Sequence, residues 1–177
     1  YLDLDKFKEV NDLYGHAAGD KLIIQVAERL GQLVRGADTV ARFGGDEFAI
    51  IQTNMRTIAD AEVMARRALD ELRRPFYIDE IVVTIGCSIG ISVAPDNGSE
   101  ALQLMRNSDI ALYRAKNEGR NRYSFFEQEM PSNETAPLFN EAKRLAMGFC
   151  LGYAELANED GKVRRFNTSI LVERDGR

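Results

Sequence analysis

Hydrophobic residues recur at helical spacing in three stretches of the chain. These stretches cover residues 22–34, 58–72 and 104–115, and their apolar side chains fall three or four positions apart, on one face. Pro75 forces the second stretch to end, and Gly119 supplies a stop for the third. The pattern predicts three amphipathic helices, each with one face suited to packing against a sheet.

Shorter segments of β-forming residues lie around the predicted helices. Residues 1–5 alternate apolar and acidic side chains, as a half-exposed strand does. Residues 39–43 and 48–51 are short and β-rich, and they flank Gly44 and Gly45, which suit a tight turn because glycine accepts a positive φ. We therefore predict an antiparallel hairpin, preceded by a truncated strand of which only the C-terminal part is present.

A long strand is predicted over residues 81–94, and a last one over residues 123–126. Bulky residues occupy the odd positions of the long strand and small ones the even positions, so another element is expected to pack closely on its small face. The resulting order is strand, helix, hairpin, helix, strand, helix, strand. This order predicts an α/β (α+β) fold in which helices flank a central, mostly antiparallel sheet.

The composition changes after residue 128. Residues 129–138 are polar and contain two prolines, which is typical of a linker. We therefore predict a domain over residues 1–128, and an unassigned tail over residues 139–177 that is too short to form a core of its own.

The tail shows three weaker local patterns. Residues 139–156 suggest a short helix, residues 158–161 the turn of a hairpin-like pair, and residues 165–173 a strand. Residues 160–170 faintly resemble the late strands of a PAS-type sensor domain. A partial PAS-like segment and a non-native end both remain open.

Composition and charge narrow the class of protein. The chain has 177 residues, a net charge of −5 and a pI near 5.1, which disfavours binding to a nucleic acid polymer because that requires basic surface. It contains no apolar run of about 20 residues, so no membrane contact is expected within this segment. Two cysteines are too few for a disulfide framework or a zinc site, and a cytoplasmic location is expected. The partners should be small molecules or proteins.

Acidic residues concentrate in two places. Asp3 and Asp5 lie in the first predicted strand, and Asp46 and Glu47 follow the glycine turn. If that strand lies beside the hairpin, Asp3 and Asp46 converge at one edge of the sheet and offer oxygen ligands for Mg²⁺ or Mn²⁺. The alternative is that these are solvated turn residues.

Four ordered sequence blocks carry a family resemblance. Residues 41–48 read ARFGGDEF, and this string resembles the signature of the GGDEF family of diguanylate cyclases. Residues 3–20, 88–91 and 109–121 resemble other blocks of the family at matching spacing, so that the likeness covers residues 1 to about 127. It implies a βαββαβ core like that of nucleotidyl cyclases and polymerase palm domains. It also implies the condensation of two GTP molecules, one from each protomer of a homodimer, into cyclic di-GMP with release of pyrophosphate.

The same resemblance implies a role for the acidic residues. Asp3, Asp46 and the main-chain carbonyl of Leu4 would hold Mg²⁺ or Mn²⁺, and Asp46 or Glu47 would accept the proton of the attacking 3′-hydroxyl. The residues alone do not separate Asp46 from Glu47 as the proton acceptor.

The residues implied in substrate binding fall into two groups. Asn11 and Asp20 would recognise guanine, and His16 either lines the same pocket or has a packing or capping role. The second group would contact the phosphates and consists of Phe7, Lys8, Lys116 and Arg120. Lys8 would lie at the catalytic centre, and Phe7 would either shape the phosphate loop or anchor the core. Lys116 and Arg120 share a face if the third helix persists through that turn, and without the resemblance they would be an ordinary solvated helix end.

Arg35 and Asp38 precede the hairpin and resemble the Arg-x-x-Asp inhibitory site of the family. This implies feedback inhibition by cyclic di-GMP, although such a pair is also common as a helix-end ion pair. Two further readings of the whole chain remain open. One is a catalytically inactive module that binds GTP or cyclic di-GMP, and the other is an incomplete fragment of a cyclase.

Overall fold

The computed structural model describes residues 1–127, 141, 144, 149–159 and 162–172. The chain divides into two compact units, Tyr1–Glu127 and Gln128–Arg177. The elements of the first unit are, in chain order, β1 (Leu2–Asp5), α1 (Phe7–Tyr14), α2 (His16–Leu33), β2 (Thr39–Gly44), β3 (Glu47–Ile51), α3 (Ile58–Leu72), β4 (Phe76–Ile78), β5 (Ile81–Val83), β6 (Gly86–Ile91), α4 (Ala101–Asn117) and β7 (Tyr123–Phe125). The second unit contains β8 (Phe149–Glu159) and β9 (Lys162–Val172).

The first unit is built on a mixed five-stranded sheet with the order β2-β3-β1-β6-β7. Strand β1 runs antiparallel to both β3 and β6, β2 and β3 form a hairpin, and β7 is parallel to β6. The predicted α/β class, with a mostly antiparallel sheet and flanking helices, is therefore confirmed.

The alternation along β1 sorts its side chains to opposite faces of the sheet. Leu2 and Leu4 are each 1% exposed and join the core cluster that includes Leu22 of α2 and Leu69 of α3. The intervening Asp3 projects to the other face, where it meets α4. Because β1 is a central strand, its acidic residues are held within the sheet rather than on a free loop.

Helix α4 packs closely on the small face of β6. A Cβ added to Gly90 would collide with the carbonyl oxygen of Ser108 and lie 2.8 Å from the Cα of Leu112, both on α4. The expectation that another element packs tightly on this face is confirmed. The close approach positions the C-terminal end of α4 beside β1.

The element pattern predicted for the first unit differs from the structure in two places. Residues 81–94 do not form one strand, because Ile81–Val83 pairs with Phe76–Ile78 in a separate two-stranded sheet and β6 begins at Gly86. Ile85 is buried although it lies between the strands, so the alternation of the sequence continues across the break. Helix α1 was not predicted as a separate helix.

The second unit contains a long hairpin. Strands β8 and β9 pair antiparallel from Phe149 opposite Val172 to Glu159 opposite Lys162. The predicted hairpin is therefore confirmed, whereas the helix predicted over residues 139–156 is wrong over the part that forms β8. The residues from Phe149 onward instead form a strand that pairs with β9, the next strand in the chain. The proposed linker at residues 129–138 lies outside the described residues.

Candidate active site

The pairing of β1 with β3 brings the two acidic segments together. Asp3 lies opposite Glu47 in the ladder, and the N–H of Leu4 donates to the carbonyl oxygen of Asp46 at 3.1 Å. The first strand thus lies beside the hairpin, as the sequence analysis supposed. Main-chain hydrogen bonds place Asp3 and Asp46 at the same edge of the sheet.

Asp3 is a partly buried carboxylate with a lysine partner. Its Oδ2 lies 2.8 Å from Nζ of Lys116 on α4, and the two side chains are 13% and 31% exposed. Burial raises the pKa of Asp3, Lys116 opposes this shift, and the neighbouring Asp46 carboxylate adds to it. Asp3 and Asp46 thus interact as like charges, with one cation balancing them.

The main-chain carbonyl of Leu4 completes a set of three oxygen groups. In a strand the carbonyl and N–H of one residue point to the same side, and the N–H of Leu4 points towards Asp46. Across the described part of the chain, no group of three or more Asp, Glu, His or Cys side chains lies close enough together to hold a metal ion by itself. The donors present, two carboxylates and one carbonyl, fit a Mg²⁺ ion that takes its remaining ligands from phosphates and water.

Glu47 is held by a residue that the sequence analysis missed. Its Oε2 accepts a hydrogen bond of 3.0 Å from the hydroxyl of Tyr1, whose ring packs edge-on against Phe43 at 5.5 Å between centroids. Burial and this bond raise the pKa of the Tyr1 phenol to about 12. A tyrosine at an apparent strand end carries no sequence signal for such a contact.

The glycine turn is tied by an arginine side chain. Nε and Nη2 of Arg42 donate to the carbonyl oxygen of Gly45, at 3.1 and 2.9 Å. Gly45 adopts a φ of 53°, and a Cβ at Gly44 or Gly45 would meet nothing within 4 Å. The open space beside the turn leaves room for a ligand next to Asp46.

Helices α1 and α2 bring together the residues implied in guanine recognition. A Cβ at Gly19 would collide with Oδ1 of Asn11, so the glycine lets the two helices approach at this point. Asp20 follows Gly19 directly and is exposed, and His16 is exposed at the first position of α2. Asn11 and Asp20 therefore lie at the same end of the helix pair.

The residues implied in phosphate binding lie in three different settings. Phe7 packs partly buried against the core, and Lys8 is exposed on α1. Lys116 already pairs with Asp3, as described above. Arg120 lies in the turn beyond α4, with a φ of 60°.

Lys116 and Arg120 were expected to share a helix face only if the third helix persisted through that turn, and this condition is not met because α4 ends at Asn117. The N–H of Arg120 donates to Ala115 and that of Gly119 to Lys116, a pair of bonds that closes the helix around a glycine with φ of 114°. Gly119 therefore acts as the predicted stop, and Arg120 leaves the helix in a new direction.

The carboxylate of Asp38 is bonded to main-chain groups. It accepts from the N–H of Arg35 at 3.1 Å and from the N–H of Thr53 at 3.0 Å. Asp38 thus braces the loop before β2 against the end of β3, while the side chain of Arg35 is exposed. The ordinary alternative, a side-chain ion pair between Arg35 and Asp38, is not what binds this carboxylate.

These hydrogen bonds predict a pH-dependent contribution of Asp38 to stability. The N–H groups of Thr53 and Arg35 lower the pKa of Asp38 in the folded state. The stabilisation is therefore present above the unfolded pKa of about 3.9 and is lost as the pH falls through the lower folded value. We expect Asp38→Asn to lower Tm at pH 7, and the difference from wild type to shrink below pH 4 in thermal melts.

Asp70→Asn, at an exposed position of α3, is the control, and should melt like wild type throughout. If Asp38→Asn lowered Tm by the same amount at pH 7 and at pH 2, the stabilisation would not come from the charged Asp38 carboxylate.

Among the described helices, none is both long enough and apolar enough to cross a bilayer. The comparison with family models matches residues 1–122 to "Diguanylate cyclase, GGDEF domain". The edge of the sheet that carries Asp3 and Asp46, called the acidic edge below, agrees with the fold and with this match. The chain belongs to the GGDEF diguanylate cyclase domain family.

Individual relatives show how the match extends. The chain is 47% identical over 133 residues to MucR of Pseudomonas aeruginosa, a bifunctional diguanylate cyclase/cyclic di-GMP phosphodiesterase, which covers 75% of this chain and 19% of that protein. It spans 18 to 19% of the length of the first three curated relatives that it matches.

Two solved structures share the fold. The GGDEF domain of YfiN (TpbB) from Pseudomonas aeruginosa is 34% identical, with a TM-score of 0.70 over 72% of this chain and 80% of that one. The GGDEF domain of DgcB from Caulobacter crescentus, solved in complex with cyclic di-GMP, is 30% identical, with a TM-score of 0.64 over 72% of this chain and 75% of that one.

Proposed function

We propose that this chain contributes a diguanylate cyclase domain, which condenses two GTP molecules into cyclic di-GMP and pyrophosphate. One observation carries the proposal: the register of β1 against β3 gathers Asp3, the Leu4 carbonyl and Asp46 at one edge of the sheet, next to Lys116. The domain would comprise residues 1–128, followed by a linker at 129–138 and a separate tail at 139–177.

The acidic edge would hold Mg²⁺ or Mn²⁺. Asp3, Asp46 and the Leu4 carbonyl are hard oxygen donors of the kind that Mg²⁺ prefers, and they leave positions for substrate phosphates. When bound, the ion supplies charge neutralisation and acidifies the attacking hydroxyl. Asp46 or Glu47 takes the proton of that hydroxyl, with Glu47 oriented by its bond to Tyr1.

The remaining residues would bind and orient GTP. Asn11 and Asp20 offer an amide and a carboxylate to the guanine edge, with His16 beside them. Lys116, Arg120 and Lys8 supply positive charge to the triphosphate, and Phe7 supports the loop from the core side. Because Lys116 already faces Asp3, it can contact both the acidic edge and a phosphate placed there.

Assembly and regulation follow from the reaction. One such site holds one GTP, so the condensation requires a homodimer in which two sites face each other. Because the proposed reaction consumes GTP, the domain would lie in the cytoplasm. Arg35, exposed beside the loop that Asp38 braces, would bind cyclic di-GMP and mediate product inhibition.

This regulation predicts that Arg35→Ala removes inhibition by cyclic di-GMP while the initial rate is unchanged, because Arg35 lies away from the acidic edge. The measurement is the inhibition curve of the initial rate with added cyclic di-GMP. Arg67→Ala, which removes an exposed arginine of α3, is the matched control. Unaltered inhibition in Arg35→Ala would refute the assignment.

The function itself is tested by incubating the purified chain with GTP and Mg²⁺ and separating the products by chromatography. Cyclic di-GMP formation that depends on Mg²⁺ supports the cyclase. A second candidate, a module that binds cyclic di-GMP without turnover, is favoured by the likeness to the DgcB domain solved with that ligand. Binding of cyclic di-GMP without product formation would support this candidate instead.

A further inference from the structure

Asp5 is a buried carboxylate that has no role in the site described so far. It is 7% exposed, and both its oxygens are bonded. Oδ1 accepts from the hydroxyl of Ser88 at 2.8 Å, and Oδ2 accepts from the main-chain N–H of Asn121 at 2.9 Å. Because a buried carboxylate is costly unless it is hydrogen-bonded, these two donors account for its presence in the sheet.

The bond to Asn121 holds a turn of unusual backbone conformation. Arg120 and Asn121 have φ values of 60° and 53°, which non-glycine residues adopt at a cost unless their surroundings hold them. Besides Asp5, Arg73 holds this turn, since its Nε donates to Oδ1 of Asn121 at 3.1 Å. The turn is therefore fixed from two sides.

Gly86 provides the space for this contact. It lies directly opposite Asp5 in the ladder between β1 and β6. A Cβ at Gly86 would lie 3.2 Å from both Oδ2 of Asp5 and Oδ1 of Asn121, closer than most side chains tolerate. The register thus places a residue without a side chain where the turn meets the carboxylate.

The chain from the last turn of α4 to the turn that follows it is attached to β1 at two points on the same face. Lys116 contacts Asp3, and Asn121 contacts Asp5. Residues two apart in a strand are separated by about 7 Å, so these attachments define both the place and the direction of the segment between them. Arg120 lies within that segment.

We propose that Asp5 is a positioning residue for substrate binding. By holding the N–H of Asn121 it fixes Arg120 at a set distance from Asp3, so that the guanidinium meets the triphosphate of GTP bound at the acidic edge. This inference rests on the proposed function. It adds a residue that acts through Arg120 and does not touch substrate itself.

The chemistry of Asp5 predicts which substitutions preserve this role. An asparagine at this position can accept from the main-chain N–H of Asn121 with its amide oxygen. Its amide NH₂ can donate to the hydroxyl of Ser88, which can accept as well as donate. Ala removes both bonds. Ser88→Ala removes a bond to the same carboxylate but leaves the bond to Asn121, so it is the matched control for a purely structural loss.

The experiment measures Tm, kcat and KM for GTP, and GTP affinity by calorimetry with Mg²⁺, for the full chain. We expect Asp5→Ala to raise KM for GTP and to weaken GTP binding, each by about tenfold, while kcat changes less. A tenfold change corresponds to the loss of about one charge-assisted hydrogen bond. Asp5→Asn should bind GTP like wild type, and Ser88→Ala should lower Tm without raising KM. Asp5→Ala combined with Arg120→Ala should bind GTP no more weakly than Arg120→Ala alone.

If Asp5→Ala does not fold, Arg73→Ala tests the same turn from its exposed side and should raise KM several-fold. Three results would overturn the positioning role while the cyclase reaction stands. They are an unchanged KM for GTP in the variant that folds, a rise in KM of the same size in Ser88→Ala, and a double variant that binds GTP more weakly than Arg120→Ala alone. If wild type binds GTP without turnover, the cyclase proposal fails and GTP affinity alone decides on Asp5. Wild type that does not bind GTP overturns both.

Discussion

Asp46→Asn is expected to reduce cyclic di-GMP formation by about a hundredfold or more while the domain remains folded. The substitution keeps the size of the side chain but removes the negative charge that would bind Mg²⁺, and such losses typically cost two to three orders of magnitude. Because Asp46 and Asp3 interact as like charges, the variant should melt at the temperature of wild type or slightly above it. The measurements are the rate of product formation at saturating GTP and a thermal melt.

The matched control for this prediction is Asp70→Asn, which makes the same chemical change at an exposed position of α3. It should keep the wild-type rate. A fully active Asp46→Asn enzyme would remove Asp46 from the metal site and leave Glu47 as the acidic residue of the turn to be tested next.

Gly90→Ala is expected to lower the free energy of unfolding by about 3 kcal/mol, or to prevent folding. The added methyl group collides with the backbone of α4, which cannot yield as the end of a flexible side chain could. Tm should fall by roughly 10 °C for a domain of this size. Urea unfolding followed by circular dichroism measures the effect directly.

Gly31→Ala provides the comparison, because this glycine lies in α2 and a Cβ there would meet nothing within 4 Å. It should stabilise the domain by up to about 1 kcal/mol, since alanine favours a helix over glycine. Equal stability of the Gly90→Ala and wild-type proteins would show that α4 does not pack as closely on β6 as described.

Local pattern was sufficient for much of the fold. The helical spacing predicted α2, α3 and α4, the glycine pair predicted the hairpin, and the alternation in residues 1–5 predicted a strand with its acidic residues on one face. From the small positions of 86–90, close packing of another element could also be predicted. These features depend on neighbouring residues alone, which is why a sequence shows them.

What the sequence did not show depends on which segments pair with each other. The strand break near Ile85 arises because Ile81–Val83 pairs with β4, and the part of residues 139–156 that forms β8 is a strand rather than a helix because it pairs with β9. In the candidate site, the hydrogen bond from Tyr1 to Glu47 and the hydrogen bond from Thr53 to Asp38 join residues far apart in the chain. The family resemblance supplied candidate residues for the site but gave no role to Asp5.

The register between β1 and β3 also makes assembly of the acidic edge inseparable from folding. Its donors come from opposite sides of a strand pair, and their lysine partner comes from a helix much later in the chain. A chain in which this strand pair has opened therefore no longer holds the three donors together. Nucleotide should shift the global melting transition as a whole, so that thermal stability becomes a direct gauge of occupancy.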